Sequence, residues 1–142
     1  MTDNTTRTAL RGAVQEVMRL HSFFQDWYRG EVPNSDEAFS RLEWALGPGF
    51  RLLRPDGTVQ DRAGALEMVR SEHGRQPGYE IEIRKPETAW SGDDLALLEY
   101  EEWRRPEGGE WEVHLSTALL RLRKERWRWL HVHETLLPSA QR

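Results

Sequence analysis

Near the end of the chain stands RWRWLHVHET, residues 126–135, with two histidines two residues apart. Neutral imidazoles are good ligands for zinc, copper or iron, and alternate residues of a strand share one face. Strict alternation puts Trp127, Trp129, His131 and His133 on one side, and Arg128, Leu130, Val132 and Glu134 on the other. A metal centre needs a third and usually a fourth ligand, and the chain contains no cysteine. His114, one strand earlier, is the only near candidate, so no metal and no other cofactor is expected. Imidazoles stacked among indoles on a packing surface fit the motif better. Acid–base chemistry has other candidates. Glu99 lies in mid-strand among Leu97, Leu98 and Tyr100, where a carboxylate is costly unless it is paired or hydrogen-bonded. A buried Glu beside a His can move a proton. His21 falls between Val17 and Phe24 in an apolar helical stripe, and both His21 and His114 could equally be hydrogen-bonded core histidines.

The elements that must position these groups are legible from periodicity. Residues 7–30 carry apolar side chains at helical spacing, including Leu10, Val14, Val17, Phe24 and Tyr28, with Gly30 as a stop. Ser35 caps a second helix running through Phe39, Leu42 and Trp44 to Gly47. GFRLLRPDGTVQ reads as a strand, a Pro-Asp-Gly turn and a short return. Asp61 caps a third helix ending at Gly74. The rest is strand-like: YEIEIRK alternates, DLALLEYEEW follows a Ser-Gly-Asp turn, RPEGGE leads to WEVHLSTALLRLR, and Lys124-Glu125 joins that to the opening motif. Helices first and consecutive antiparallel strands afterwards predict an α+β domain, with helices covering one face of a curved sheet.

At 142 residues the chain fits one domain, 1–142, with residues 1–7 and 138–142 as expected tails. The net charge of −4 is interspersed, which argues against general nucleic-acid binding. Apolar runs such as LALL at 95–98 are far too short to span a membrane. MTDNTTRT lacks the layout of a signal peptide, so a soluble cytoplasmic protein is expected. Seven tryptophans point to a large core, a subunit interface or an apolar pocket.

This order of elements resembles the NTF2-like (cystatin-like, SnoaL-like) cone. The stretch TALLRLRKERWRWLHVHET is similar to the closing hairpin of the association (hub) domain of calcium/calmodulin-dependent protein kinase II and of the bacterial DUF4440 group, through Thr117, Trp127, His131, His133 and Thr135. The resemblance implies that the Trp/His parity lies on the outer, convex face, where sheets pack into dimers. Leu115, Thr117, Leu119, Trp127, Trp129 and His131 are then the expected homodimer interface, alongside Val113. It also turns the position of Glu99 inward, which makes Glu99, Glu101, His114, Ser116 and Glu134 the cavity candidates, with Trp103 near the rim. Otherwise Glu101 and Glu102 adjoin a turn and read as solvated. His21, Tyr28 and Trp44 complete the expected lining, although Tyr28 and Trp44 also fit a core. Where the hub domain has inward arginines this chain has Glu99, Ala118 and Glu134, so the hub's anion site does not carry over. The expectation is a homodimeric small-molecule-binding protein, with no nucleic-acid or membrane partner. Its pocket should prefer an uncharged or cationic ligand over a carboxylate or phosphate. An enzyme using Glu99, His114 and Glu134, or an assembly module built on the Trp/His face, are the alternatives.

Overall fold

The computed structural model describes residues 4–139. Helix α1 (Asn4–Arg29) buries Ala13, Val17, Leu20, His21 and Trp27, a stripe at three- and four-residue spacing. Residues 4–7, expected as tail, form its first turn; positions 1–3 and 140–142 lie outside the described residues. Gly30 ends α1 in the left-handed conformation. The Gly30 N–H donates to Trp27 O and that of Glu31 to Asp26 O, the paired bonds of a Schellman cap. Helix α2 (Asp36–Ala45) starts where Ser35 accepts from the Ala38 N–H at 3.1 Å, and α3 (Arg62–Arg70) where Asp61 accepts from the Gly64 N–H at 2.8 Å. Both caps fall where the sequence places them. Both helices stop short of the glycines expected to end them. Among the described residues no helix is long and apolar enough to cross a membrane.

Six strands, β1 (Leu46–Leu53), β2 (Val59–Asp61), β3 (Glu80–Gly92), β4 (Leu95–Arg105), β5 (Glu112–Arg123) and β6 (Arg126–Leu136), form one sheet in the order β2-β1-β6-β5-β4-β3. Only the β1–β6 pair is parallel. The three helices pack on one face of this mainly antiparallel sheet, and the core lies between. The fold is therefore the α+β, cystatin-like arrangement that the order of elements predicts.

Two features of the sheet decide which side chains reach that core. The first is a bulge in β6. Leu120 pairs with Trp129 and Leu119 with His131, so Leu130 is an extra residue without an opposite number. Alternation restarts there. Trp127 and Trp129 point inward, 7% and 2% exposed, and His131 and His133 point outward. The shared Trp/His face is thus corrected: the indoles belong to the core and cannot be interface residues. Trp127 Nε1 donates to Ala9 O at 3.0 Å and Trp129 Nε1 to Glu16 Oε2 at 2.9 Å, tying both to α1. His114 is on the opposite face from His131 and His133, so those three cannot converge on one ion. Among the described residues no group of three or more His, Asp or Glu has metal-holding geometry.

The second feature is the β4–β5 register. Directly opposed residues in an antiparallel pair share a face. Tyr100 faces Ser116 and Glu102 faces His114, so Ala96, Leu98, Tyr100 and Glu102 point inward with Ser116, Ala118 and Leu120. Glu99 pairs with Thr117 and is exposed on the outer face, and Glu101 and Trp103 lie on that face too. The inward placement of Glu99, Glu101 and Trp103 is overturned.

Candidate functional site

Reading the inner face of β4, β5 and β6 in register gives a gradient. Ala96, Leu120 and Trp129 lie abreast; next come Leu98, Ala118 and Val132, then Tyr100, Ser116 and Glu134, then Glu102 and His114. Apolar side chains give way to polar ones along the strands. Opposite them, Leu42 from α2, Leu46, Phe50 and Leu52 from β1, and Ala65, Met68 and Val69 from α3 supply a continuous apolar wall. Between strip and wall is a cavity of about 300 Å³, a size that accommodates a small organic molecule. Arg54 and Pro55, the exposed members of its lining, mark the mouth at the β1–β2 turn.

The polar strip is one connected network. His21, from α1, has Nδ1 2.7 Å from Val17 O and Nε2 3.4 Å from Glu102 Oε2. A carbonyl only accepts, so Nδ1 carries hydrogen and donates, and the ring is fixed with Nε2 against the carboxylate. Glu102 Oε1 is 3.1 Å from the Arg104 guanidinium, which also lies 3.5 Å from Glu134 Oε2. Arg104 reaches His114 Nδ1 at 2.6 Å, and His114 Nε2 stands 2.8 Å from Glu112 Oε1. Burial by itself would raise the Glu102 pKa, but Arg104 and then His21 outweigh it and hold the carboxyl at about 2. Arg104 is likewise held charged: burial opposes its charge, and Glu102 and Glu134 more than offset that.

His114 has two incompatible options at Nδ1. Bare, it accepts from Arg104; protonated, it loses that bond and donates to Glu134 Oε2, 3.4 Å away. Burial and the repulsion of Arg104 lower its pKa, yet the bond to Glu134 together with the negative charges of Glu134 and Glu102 outweighs them, so the net direction is upward. Three phenols edge the strip. Burial pushes the Tyr28, Tyr79 and Tyr100 hydroxyls above the ordinary tyrosine range, so they remain neutral donors. The Tyr100 hydroxyl sits beside that of Ser116, which is fully buried.

Of the residues singled out from sequence, His21, Tyr28, His114, Ser116 and Glu134 are on the inner side as expected. Trp44 is not. It lies outside the cavity, half-buried, with the Arg126 guanidinium 3.7 Å from its ring centre and that of Arg128 at 5.1 Å. Trp103 is covered on the outer face by Arg84 at 3.8 Å and donates to Glu101 at 3.0 Å. Leu115, Thr117, Leu119 and His131 are outward as expected, Leu115 being 44% exposed. Glu102, expected to be solvated beside a turn, is instead buried at the centre of the network, paired with His21 and Arg104, and Arg104 was not foreseen. Their signal was the apolar triple Ala96, Leu98, Tyr100, whose parity continues into both.

Comparison with known proteins agrees with this architecture and extends it. The family model described as sucrose-6-phosphate phosphohydrolase C-terminal matches residues 13–138. The chain is 28% identical over 131 residues to sucrose-phosphatase 1 of Nicotiana tabacum, covering 88% of this chain and 31% of that protein. It therefore spans about a third of the curated relatives it matches. Among solved structures it is similar to an NTF-2 like protein of unknown function from Pseudomonas aeruginosa, at 30% identity and a TM-score of 0.82, covering 89% of this chain and 99% of that one. The CamKII hub homology domain of Chlamydamonas reinhardtii shares the fold, with a TM-score of 0.67 at 12% identity over 89% of this chain and 98% of that one. With a network of buried charge at the edge of its cone, the chain belongs to the sucrose-6-phosphate phosphohydrolase C-terminal family, within the NTF2-like fold.

Proposed function

We propose that this domain binds a small molecule in the cavity between the apolar wall and the polar strip, the ligand having an apolar body and a hydrogen-bonding head. The observation that supports this reading is the convergence of His21, Glu102, Arg104, His114 and Glu134 beside an apolar cavity. Burying so many ionisable groups costs stability that an apolar core would not lose, and such groups gather where a ligand is handled. The wall also bears on the relatives' names. A sugar presents hydroxyls on most sides, whereas here only one side of the cavity offers partners. Arg104 is already shared between two carboxylates, which leaves little attraction for a phosphate. Glu102 itself is suited to binding and not to general-base work, because a general base works best with a pKa near the working pH and Glu102 is held far below it.

Filling the cavity is the direct test. Met68 lines it and is half-buried, so Met68→Trp should place an indole in the ligand's space. Binding of small hydrophobic alcohols, followed by calorimetry, should fall at least tenfold (roughly 1.4 kcal/mol) while the melting temperature changes little. Unaltered binding in that variant would remove the cavity as the site.

The same reading includes a homodimer through the outer sheet face. Leu97, Leu119 and His131 form one cross-strand row there, and Glu99, Thr117 and His133 the next, with Leu115 beyond. Leu115→Glu should weaken self-association about a hundredfold, as expected for a charge buried without a partner at an apolar contact. Sedimentation at micromolar concentration would read it, and an unchanged mass in wild type and variant would exclude this face.

A further inference from the structure

On the outer face of β3 and β4, most acids have a basic neighbour: Glu80 pairs with Arg105, Glu82 with Arg84 and Glu101 with Lys85. Glu87 and Glu99 are the exceptions. They stand directly opposite each other, where like charges destabilise a strand pair, and among the described residues neither forms an ion pair. The far edge of the same face has the opposite sign. Arg51 on β1 and His131 and His133 on β6 point outward there, and among the described residues no carboxylate pairs with them. Asp61, across from Arg51 on β2, is committed to the Gly64 N–H. Between the two edges runs β5, with Leu115, Thr117 and Leu119 outward.

A face that is apolar along its middle, acidic along one edge and basic along the other is complementary to a second copy of itself. A two-fold contact uses one patch on both subunits, and sheets packed in the aligned way keep their strands within about 30° of each other. Two arrangements meet both conditions. With the axis across the strands, β4 lies over β4 and acid edge faces acid edge. With the axis along β5, β4 of each copy lies over β6 of the other, and residues of one row meet. Leu115, Thr117 and Leu119 then pack on themselves, Glu99 meets His133, and Leu97 meets His131. Burial, then Arg51 and His133, hold the His131 pKa below its ordinary value, so that ring is neutral against the leucine. Trp90, 54% exposed beside Leu97, comes over Arg51, the ring-to-guanidinium contact that Trp44 and Trp103 already make within the chain.

We infer that two copies associate with β5 along β5, so that Glu99 of each meets His133 of the other, and that a proton on His133 strengthens the association. This rests on the homodimer reading above and gives it an orientation and a regulator. Within one copy His133 has Thr117 beside it on β5, Leu53 on β1, and His131 and Thr135 on its own strand, with Arg51 one row away. Arg51 and a protonated His131 repel its proton, and its own Glu99 is two strands off, beyond Thr117. The acid that holds the proton comes from the second copy. A group whose pKa rises on association contributes fully below its free value and loses that contribution as pH climbs through the bound value. The dimer should therefore tighten as pH falls through the His133 transition.

Sedimentation equilibrium of the intact chain between about pH 8 and about pH 5.5 tests this, a range that crosses the ordinary histidine value and leaves glutamate ionised. The dimer should tighten roughly fivefold toward the acid end, as two partly exposed ion pairs imply, and the gain should shrink in high salt. Glu99→Gln should remove most of that gain, and so should His133→Gln. At about pH 6, Glu99→Lys and His133→Glu should each weaken the dimer roughly tenfold, and the two together should return it to within about threefold of wild type. Both side chains are exposed in the single chain, so the fold is not at stake. Tighter association of Glu99→Gln would mean that acid edge lies on acid edge, and would overturn the arrangement. A double variant no better than its singles, or a wild-type affinity that ignores pH, would overturn it too. A dimer that still weakens on Leu115→Glu would in those cases leave the homodimer reading standing. A wild-type chain that stays monomeric at millimolar concentration removes both.

Discussion

Arg104→Met should destabilise the domain by about 3–5 kcal/mol at neutral pH, because it leaves two inner carboxylates without their shared cation. Glu102 and Glu134 have side chains only 8% and 11% exposed, so water cannot replace the guanidinium at 3.1 and 3.5 Å. The pH dependence separates this electrostatic cause from lost packing. In the wild type, Glu102 is depressed from 4.5 to about 2. A group with a lowered folded pKa adds stability above its unfolded pKa and loses it as pH falls through the folded value. A shift of that size is worth about 3 kcal/mol, so wild-type stability should decline between about pH 5 and about pH 2 as this contribution disappears. In the variant the largest depressing charge is gone and burial still opposes ionisation, so the Glu102 carboxyl moves up from that value. It should then lose less stability than the wild type as acid neutralises the carboxyl. Urea unfolding across that range should show a gap that is wide at neutral pH and narrows in acid. A constant gap would assign the effect to packing, and Glu102→Gln in the variant background should recover more than half of the loss if charge is the cause.

That network also shows why the sequence revealed the frame more readily than the site. Helix starts at Ser35 and Asp61 and the stop at Gly30 are local events, set by one side chain and the backbone beside it. The inner parity of β5 was legible because His114, Ser116, Ala118 and Leu120 contrast with the β-branched and leucine row beside them. In β4 the two parities of LALLEYEEW each begin with aliphatic residues and carry acid farther along. Periodicity alone cannot choose between them, and the resemblance to the hub domain chose wrongly. The choice is made by hydrogen-bond register with β5, a long-range fact. Once it is made, Glu102 is buried beside His114, Arg104 follows on the same face, and His21 finds its partner from another element. Hydrogen-bond register also explains Trp103, which, like Trp44 on α2, has an arginine over its ring outside the cavity, a use of tryptophan that composition cannot distinguish from a cavity wall.

Deleting Leu130 should leave the domain folded, because Leu130 is the extra residue of the β6 bulge. Without it His131 follows Trp129 directly, and plain alternation keeps Trp127 and Trp129 inward, His131 and His133 outward, and Val132 and Glu134 toward the cavity. The pairs Leu120–Trp129 and Leu119–His131 become consecutive, so the register with β5 runs unbroken. Trp127 and Trp129 keep their bonds to Ala9 and Glu16. What is lost is the local bend of the bulge and the packing of the leucine against Gly47, where a Cβ would meet Leu130 Cδ2 at 3.1 Å. Leu130→Ala is the necessary contrast. It keeps the residue count and the bulge and removes only that packing, so it should lose about 1–2 kcal/mol, in keeping with partial burial. Deletion of a residue that has an opposite number is a different matter, because a one-residue slip there moves every following side chain to the other face. In urea unfolding the Leu130 deletion should lie within about 2 kcal/mol of Leu130→Ala, well inside the stability of a typical domain of about 5–15 kcal/mol. A deletion that is unfolded by circular dichroism would mean that the bend of the bulge, and not only the alternation it resets, is needed to close the sheet over the cavity.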